Sequence, residues 1–233
     1  MQTLKVEMIH DLVCSWCHIG YHHISQALDR LTGEVDAEFR YLPFQLNPDL
    51  DSQGVNITEH LCLRNQWSLA EAMDYRARLL QKTKEVGVTI DFSKRTRYYN
   101  TAMAHRLMLA AGNHGLQRQM HQALLQAYHV EGENISDVTV LKKIAESIGF
   151  DEAMVNQALI SEAIDQRLSG LVARINNFNV RSVPAFIFNE NRFVSGSNSA
   201  EFFAQLIRSE FLTGDLAEEP VEEAIQCPMS ISK

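Results

Sequence analysis

Two cysteines separated by two residues, Cys14 and Cys17, directly follow a strand-like segment, and this arrangement limits what the chain can fold into. Residues 4–10 have the character of a strand, and residues 20–31 have the pattern of a helix. Two cysteines three positions apart at the start of a helix lie on one face, close enough for a disulfide. The first sulfur then lies at the positive end of the helix dipole, which lowers the pKa of that thiol and favours the nucleophilic thiolate.

A strand, a Cys-x-x-Cys motif and a helix in this order indicate a thioredoxin-like redox site. Other interpretations of the motif stay open. Cys14, Cys17 and His18 match the pattern of covalent haem attachment, and the same residues together with His22 could bind zinc. Both cysteines could also be buried apolar side chains. Because the chain shows neither an export signal nor a second Cys-x-x-Cys, we favour dithiol chemistry and expect no metal site.

The composition argues against several classes of function. The 233 residues carry a formal net charge of −8, which is unfavourable for general binding to nucleic acid or to an anionic membrane. No apolar run approaches the ~20 residues of a membrane span, and the first residues lack the apolar core of a signal peptide. We therefore expect a cytoplasmic protein, either a monomer or a homodimer. In a reducing compartment, a Cys-x-x-Cys is more often catalytic than structural.

The predicted elements follow the order β–α–β, a helical block, and then α–β–β–α. Residues 34–42 alternate with the period of a strand and are followed by a proline-containing loop. Residues 57–177 contain no proline and repeatedly show helical periodicity. Residues 185–189 and 192–195 predict a hairpin, and residues 200–211 predict an amphipathic final helix.

Five or six helices are expected within the block. Ser68 begins a capping-box pattern. The helix that follows would have its apolar residues roughly on one side, namely Leu69, Met73, Leu79, Leu80 and Val86. Ser136 is the expected N-cap of a later helix. The further helices are predicted at residues 101–111, 116–128, 137–148, 151–159 and 161–178.

These patterns predict an α/β protein in which a thioredoxin fold is interrupted by a large all-helical insertion. The thioredoxin-like domain would comprise residues 1–56 and 178–213, and the insertion residues 57–177. Residues 214–233 would form an acidic, solvated tail, since five acidic side chains there face a single lysine. Cys227 lies in this tail and Cys62 in the insertion, both outside the motif.

The chain resembles the DsbA-like thioredoxin-fold oxidoreductases, and within them the FrnE-type group of dithiol-disulfide isomerase-like proteins. The resemblance extends over about residues 4–212, and Ser15 and His18 stand where the family usually has proline and an aromatic residue. The motifs that carry it are DLVCSWCHIG at 11–20, FQLNP at 44–48, NTAMAHRL at 100–107, AYHVEGENI at 127–135, VPAFIFN at 183–189 and VSG at 194–196.

The resemblance implies a thiol-disulfide oxidoreductase or isomerase. Cys14 would attack a substrate disulfide, and Cys17 would resolve the mixed disulfide. Val183 and Pro184 would form a cis-proline loop that faces Cys14 and presents backbone groups to an extended substrate.

Further residues are expected near this site. Ser15, Trp16 and His18 would surround the cysteines, with the Trp16 ring as an apolar cover. Asn100 and His105 are additional candidates, which either fix the insertion against the core or contact the substrate. The proton acceptor for Cys17 stays open among several residues near the end of the first strand, namely Glu7, His10 and Asp11.

The implied partner is a disulfide-containing protein or a small thiol. The resemblance implies no cofactor, apart from glutathione as a co-substrate or reductant. Two other functions stay open. One is a glutathione-dependent isomerase or transferase of the hydroxychromene-carboxylate isomerase or kappa type, which usually has serine where this chain has Cys14. The other is a non-enzymatic redox sensor.

Overall fold

The structure is a computed structural model that describes residues 1–213. The expected acidic tail and Cys227 lie outside the described residues. Within residues 1–213, no helix combines the length and the apolar character that a membrane span requires.

Strands and helices fall into the expected order. The strands are β1 (Gln2–His10), β2 (Val35–Pro43), β3 (Val55–Asn56), β4 (Arg97–Tyr98), β5 (Ala185–Phe188) and β6 (Arg192–Ser195). The helices are α1 (Ser15–Arg30), α2 (Ile57–Asn65), α3 (Leu69–Val86), α4 (Ala102–Gly112), α5 (Gln117–Leu125), α6 (Val138–Glu146), α7 (Glu152–Ile160), α8 (Glu162–Asn176) and α9 (Ala200–Ile207). Short π-helical turns, Gln126–Val130 and Arg208–Thr213, follow α5 and α9.

The main sheet has the strand order β2-β1-β5-β6. β1 pairs with β2 in parallel and with β5 antiparallel, and β5 pairs with β6 as an antiparallel hairpin. Val6, Met8 and Ile9 of β1 are completely buried, as expected for a central strand covered on both faces. Because helices α2–α8 lie in sequence between β2 and β5, the structure confirms a thioredoxin fold with a helical insertion.

The helix after the cysteine motif begins earlier than its apolar pattern indicated. α1 starts at Ser15, and Cys14 is its N-cap with extended backbone angles. The Cys14 sulfur accepts the backbone N–H of Cys17 at 3.3 Å, the role that a serine or aspartate oxygen commonly has at an N-cap. Periodicity could not reveal this first turn, because Ser15, Trp16 and Cys17 are all buried.

The predicted inward face of α3 is correct for Leu79, which is buried, but wrong at the start of the helix. Leu69 and Met73 are 61% and 60% exposed. The buried positions of α3 are Ala72, Leu79 and Thr83. The helix therefore packs through a face that includes a small residue and a polar one, and a count of apolar residues points to the neighbouring face.

Two smaller features also differ from the expectation. Asp137, and not Ser136, is the N-cap of α6, since its carboxylate accepts the Thr139 N–H at 2.7 Å. A two-residue ladder joins β3, just before the helical segment, to β4 within it. The ladder is too short to produce a recognisable alternation in the sequence.

Helix α1 approaches the loop before β5 through Gly20. A Cβ atom added to Gly20 would lie 2.8 Å from Cγ of Pro184, a distance at which one of the two residues must move. Gly170 in α8 is a useful contrast, since a Cβ atom there would meet nothing within 4 Å. Glycine at position 20 thus permits the close packing of α1 against Pro184.

We expect Gly20→Ala to lower the free energy of unfolding by about 1–3 kcal/mol, because overpacking a filled interior costs this much. Gly170→Ala should raise it by about 0.5–1 kcal/mol, because alanine is the better helix former. Urea denaturation near neutral pH measures both changes. Equal and favourable effects of the two substitutions would contradict the close approach of α1 to Pro184.

Candidate active site

Cys14 and Cys17 lie together in the first turn of α1. They are 3% and 2% exposed, and the 3.3 Å contact of the Cys17 amide with the Cys14 sulfur places that sulfur at the N-terminus of the helix. The unpaired N–H groups and the positive dipole end of α1 stabilise a negative charge there. The local structure therefore favours a thiolate at Cys14.

The loop before β5 faces this sulfur. The peptide bond between Val183 and Pro184 is cis, which is the geometry that the resemblance implied. The carbonyl oxygen of Val183 lies 3.9 Å from the Cys14 sulfur, although the two residues are 169 positions apart. The Pro184 carbonyl accepts the N–H of Gly196 at 2.9 Å, which joins the loop to the segment after β6.

The turn between β1 and Cys14 is held by two side chains from the helical insertion. Nε2 of His129 donates to the carbonyl of Leu12 at 3.0 Å, which assigns the proton to that nitrogen. A guanidinium nitrogen of Arg95 donates to the carbonyl of Val13 at 2.8 Å. The backbone that presents Cys14 is thus fixed from a distant part of the chain.

His105 and Asp11 contact the end of β1 and the loop after β2. Nε2 of His105 donates to the Phe44 carbonyl at 3.0 Å and lies 3.6 Å from a carboxylate oxygen of Asp11. The other oxygen of Asp11 accepts the Leu46 N–H at 2.7 Å. Both candidates therefore join backbone segments at this end of the sheet.

Two further candidates, Asn100 and Trp16, lie at different places in the fold. The Asn100 side chain donates to the carbonyls of Pro48 and Leu50, at 2.8 and 3.1 Å. Nε1 of Trp16 donates to the Tyr75 hydroxyl at 3.0 Å, which links α1 to α3. The bonds of Asn100 are thus with the loop after β2, whereas Trp16 adjoins the cysteines in α1.

Sequence reasoning missed that five histidines, buried or half-buried, lie close together behind the site. The His10 ring lies 5.0 Å from that of His121 and 5.5 Å from that of His105, and the rings of His18 and His129 lie 4.9 Å apart. We call these five residues the histidine cluster. His121 and His129 occur singly in α5 and the π-helical turn after it, so only the resemblance around residues 127–135 offered a signal for one of them.

Burial keeps four members of the histidine cluster uncharged, namely His10, His18, His121 and His129. The pKa of His10 lies well below its ordinary value of 6.5 because of burial and then because of His121 and His105. The pKa of His121 is depressed in the same way by burial and then by His18 and His105. A second positive charge in this interior would be unfavourable, so these rings are neutral at neutral pH.

The histidines nearest the cysteine motif respond also to Arg95. Burial lowers the pKa of His18 to about 4, with smaller contributions from His22 and Arg95. Burial and then Arg95 hold the pKa of His129 well below its ordinary value. Within residues 1–213, no group of three or more His, Cys, Asp or Glu side chains is arranged to hold a metal ion.

A comparison with known proteins identifies a family model that matches most of this chain. A family model described as a DSBA-like thioredoxin domain matches residues 5–208. The uncharacterized protein YwbO of Bacillus subtilis is 22% identical over 209 residues, which cover 89% of this chain and 98% of that protein.

Solved structures similar to this chain include the following two. A "probable DsbA oxidoreductase" from Streptomyces coelicolor has a TM-score of 0.82 at 21% identity, covering 94% of this chain and 93% of that chain. The cytosolic disulfide reductase DsbM from Pseudomonas aeruginosa, solved with GSH, has a TM-score of 0.58 at 18% identity, covering 86% and 93%. At these identities the likeness shows the fold.

The histidine cluster predicts acid sensitivity. The rings of His10 and His121 bind protons below about pH 6.5 when the chain is unfolded but resist protonation when it is folded. The unfolded state therefore binds more protons as the pH falls, and the stability present above pH 6.5 is lost progressively below it. Each such histidine reduces the free energy of unfolding by about 1.4 kcal/mol per pH unit in this range.

We expect His10→Phe to reduce this pH dependence by about one proton between pH 6 and 4.5. The control is His114→Gln at an exposed position, which should leave the dependence as it is. Urea denaturation at several pH values measures the slope. A slope unchanged by His10→Phe would contradict the neutral, buried state of His10.

Proposed function

The chain belongs to the family of DSBA-like thioredoxin domains, and from that premise we propose that it is a protein thiol-disulfide oxidoreductase or isomerase acting through Cys14 and Cys17. The position of the Cys14 sulfur is the observation that carries the proposal. It caps α1, accepts the Cys17 N–H and lies 3.9 Å from the Val183 carbonyl. An activated thiol, a second thiol and an adjacent backbone segment for the substrate are what disulfide exchange requires.

In the reductive direction, the Cys14 thiolate attacks one sulfur of a substrate disulfide. A Cys14–substrate disulfide forms, and the other substrate sulfur leaves as a thiolate that takes up a proton. Cys17 then loses its proton and attacks the Cys14 sulfur, which releases the second substrate thiol. The substrate gains two electrons, and the enzyme holds a Cys14–Cys17 disulfide; the oxidative direction is the reverse.

The Val183–Pro184 loop is proposed to hold the substrate. Its carbonyl points to the Cys14 sulfur, so an extended polypeptide paired with this backbone would bring its own disulfide to the sulfur. Because proline has no backbone N–H, position 184 adds no donor that would compete with the substrate for the backbone acceptors of this loop. A disulfide-containing polypeptide is therefore the proposed partner.

We further propose that a small thiol such as glutathione restores the reduced pair, in the cytoplasm. The support is the structural likeness to a cytosolic disulfide reductase that was solved with GSH. An isomerase or transferase that activates only the thiol of glutathione has no use for a second cysteine. The presence of both Cys14 and Cys17 in one helical turn favours exchange through the protein's own thiols.

Cysteine variants test the assignment of roles. Cys14→Ser should reduce the catalysed reduction of insulin to the uncatalysed rate, because the attacking sulfur is lost. Cys17→Ser should accumulate a mixed disulfide with the substrate, visible on a non-reducing gel and released by dithiothreitol. Cys62→Ser, at a half-buried cysteine outside the motif, is the control and should retain the wild-type rate.

The two cysteines should also differ in reactivity. We expect Cys14 to alkylate faster than Cys17 at neutral pH, with a pKa well below the ~8.5 of an unperturbed thiol. Mass spectrometry after a brief treatment with iodoacetamide distinguishes the two. Faster alkylation of Cys17 would show that the roles are reversed.

A further inference from the structure

Arg95 is a buried cation at the base of the redox site. It lies in the loop between α3 and β4 and is 3% exposed. Its guanidinium donates at 2.8 Å to the carbonyl of Val13, 82 residues away, and Val13 directly precedes Cys14. A permanent positive charge thus lies next to the peptide unit that begins the cysteine motif.

Aromatic rings surround this guanidinium. The ring centroids of Tyr128, Tyr98 and Phe92 lie 5.0, 5.5 and 5.9 Å from its central carbon. Such rings attract a cation through their negative faces. Burial by itself lowers the pKa of Arg95, but Tyr128 and Tyr98 raise it, and the pKa stays above its ordinary value. The side chain therefore remains charged.

Within the part of the chain that the structure describes, no carboxylate lies within 4.0 Å of this guanidinium. Buried arginines are usually compensated by such a partner, because an uncompensated buried charge is costly. Here the charge faces the backbone of the cysteine motif instead. The next residue along this backbone is Cys14, whose side chain becomes an anion whenever the redox pair is reduced and the thiol loses its proton.

We propose that Arg95 is a positioning residue for the redox site, which holds the Val13 carbonyl and supplies a permanent positive charge that stabilises the Cys14 thiolate. This inference rests on the proposed role of Cys14 as the attacking thiol. A stabilised thiolate favours the reduced form of the pair, so Arg95 makes the Cys14–Cys17 disulfide a stronger oxidant.

The other ionisable groups around the turn do not supply this charge. His18 and His129 are neutral near neutral pH, because burial depresses the pKa of each. Burial raises the pKa of Tyr128, which keeps its hydroxyl protonated. The Asp11 carboxyl group accepts the Leu46 N–H and cannot carry a positive charge. In this proposal, the positive charge that stabilises the Cys14 thiolate comes from Arg95 and from the N-terminus of α1.

Three substitutions separate charge from hydrogen bonding. Arg95→Gln retains a donor for Val13 without the charge, and Arg95→Lys retains the charge without the planar fork. Arg97→Gln is the matched control, because Arg97 lies two residues further along, is exposed, and donates to the carbonyls of Gln53 and Gly54. Each is made in full-length protein whose only cysteine is Cys14, and the alkylation rate against pH gives the pKa of Cys14.

We expect Arg95→Gln to raise the pKa of Cys14 by about one unit, a tenfold loss of thiolate at pH values below that pKa. Arg95→Lys and Arg97→Gln should change it by less than about a third of that. In protein that keeps both motif cysteines, Arg95→Gln should make the reduction potential more negative by about 30 mV at pH values above the Cys14 pKa of both proteins, where a one-unit pKa change alters the stability of the reduced form tenfold. If Arg95 had a purely structural role, Arg95→Lys would change the pKa of Cys14 as strongly as Arg95→Gln does.

Equal pKa values in Arg95→Gln and in the parent protein would overturn the proposal. If the variants do not fold, the parent protein still decides the matter, since a Cys14 pKa at or above ~8.5 is incompatible with a stabilising cation. The alkylation assay needs no turnover, so it separates the two claims. If Arg95→Gln raises the Cys14 pKa but the parent protein reduces no disulfide, the proposed function alone is refuted. If the parent protein is active but Arg95→Gln leaves the Cys14 pKa unchanged, the role of Arg95 alone is refuted.

Discussion

The turn that joins β1 to α1 determines where the reactive sulfur lies. β1 is a central, buried strand of the sheet. The chain that follows it must place Cys14 at the N-cap of α1, with the sulfur at the first turn of that helix. The carbonyls of Leu12 and Val13 in this turn cannot pair within either element, and they accept hydrogen bonds from His129 and Arg95. Since buried carbonyls need partners, the helical insertion is required to complete the backbone of the site.

This dependence explains the electrostatic character of the interior behind the cysteines. A buried arginine and several buried histidines lie close together, and the histidines stay neutral because burial opposes a further charge. With the pKa of His18 at about 4, the charge next to the motif changes little around neutral pH. Under the proposal made above, a Cys14 thiolate is stabilised by constant charges, those of Arg95 and the helix dipole, and its stability does not depend on His18 near pH 7.

Much of the fold could be predicted from the sequence, because the motif, the strand periods and the hairpin are local patterns. The approach of Val183 to Cys14 came from the resemblance to a family, since no local pattern relates residues 169 positions apart. The residues that fix the turn were missed for the same reason. Arg95 stands in a polar segment, KRTR at 94–97, that is typical of an exposed loop, and only the tertiary structure shows that it is buried. The inward face of α3 was predicted correctly at Leu79 but misjudged elsewhere, because that helix also packs through Ala72 and Thr83.

The central claim is that Cys14 and Cys17 form a reversible two-electron couple, and a redox titration tests it most directly. The protein is equilibrated in glutathione buffers of stepped potential, and alkylation followed by mass spectrometry gives the reduced fraction. We predict one transition in which the ratio of reduced to oxidised protein changes tenfold for about every 30 mV. A pair that stays fully reduced across the whole range, or that oxidises only to species linking separate chains, would contradict the claim.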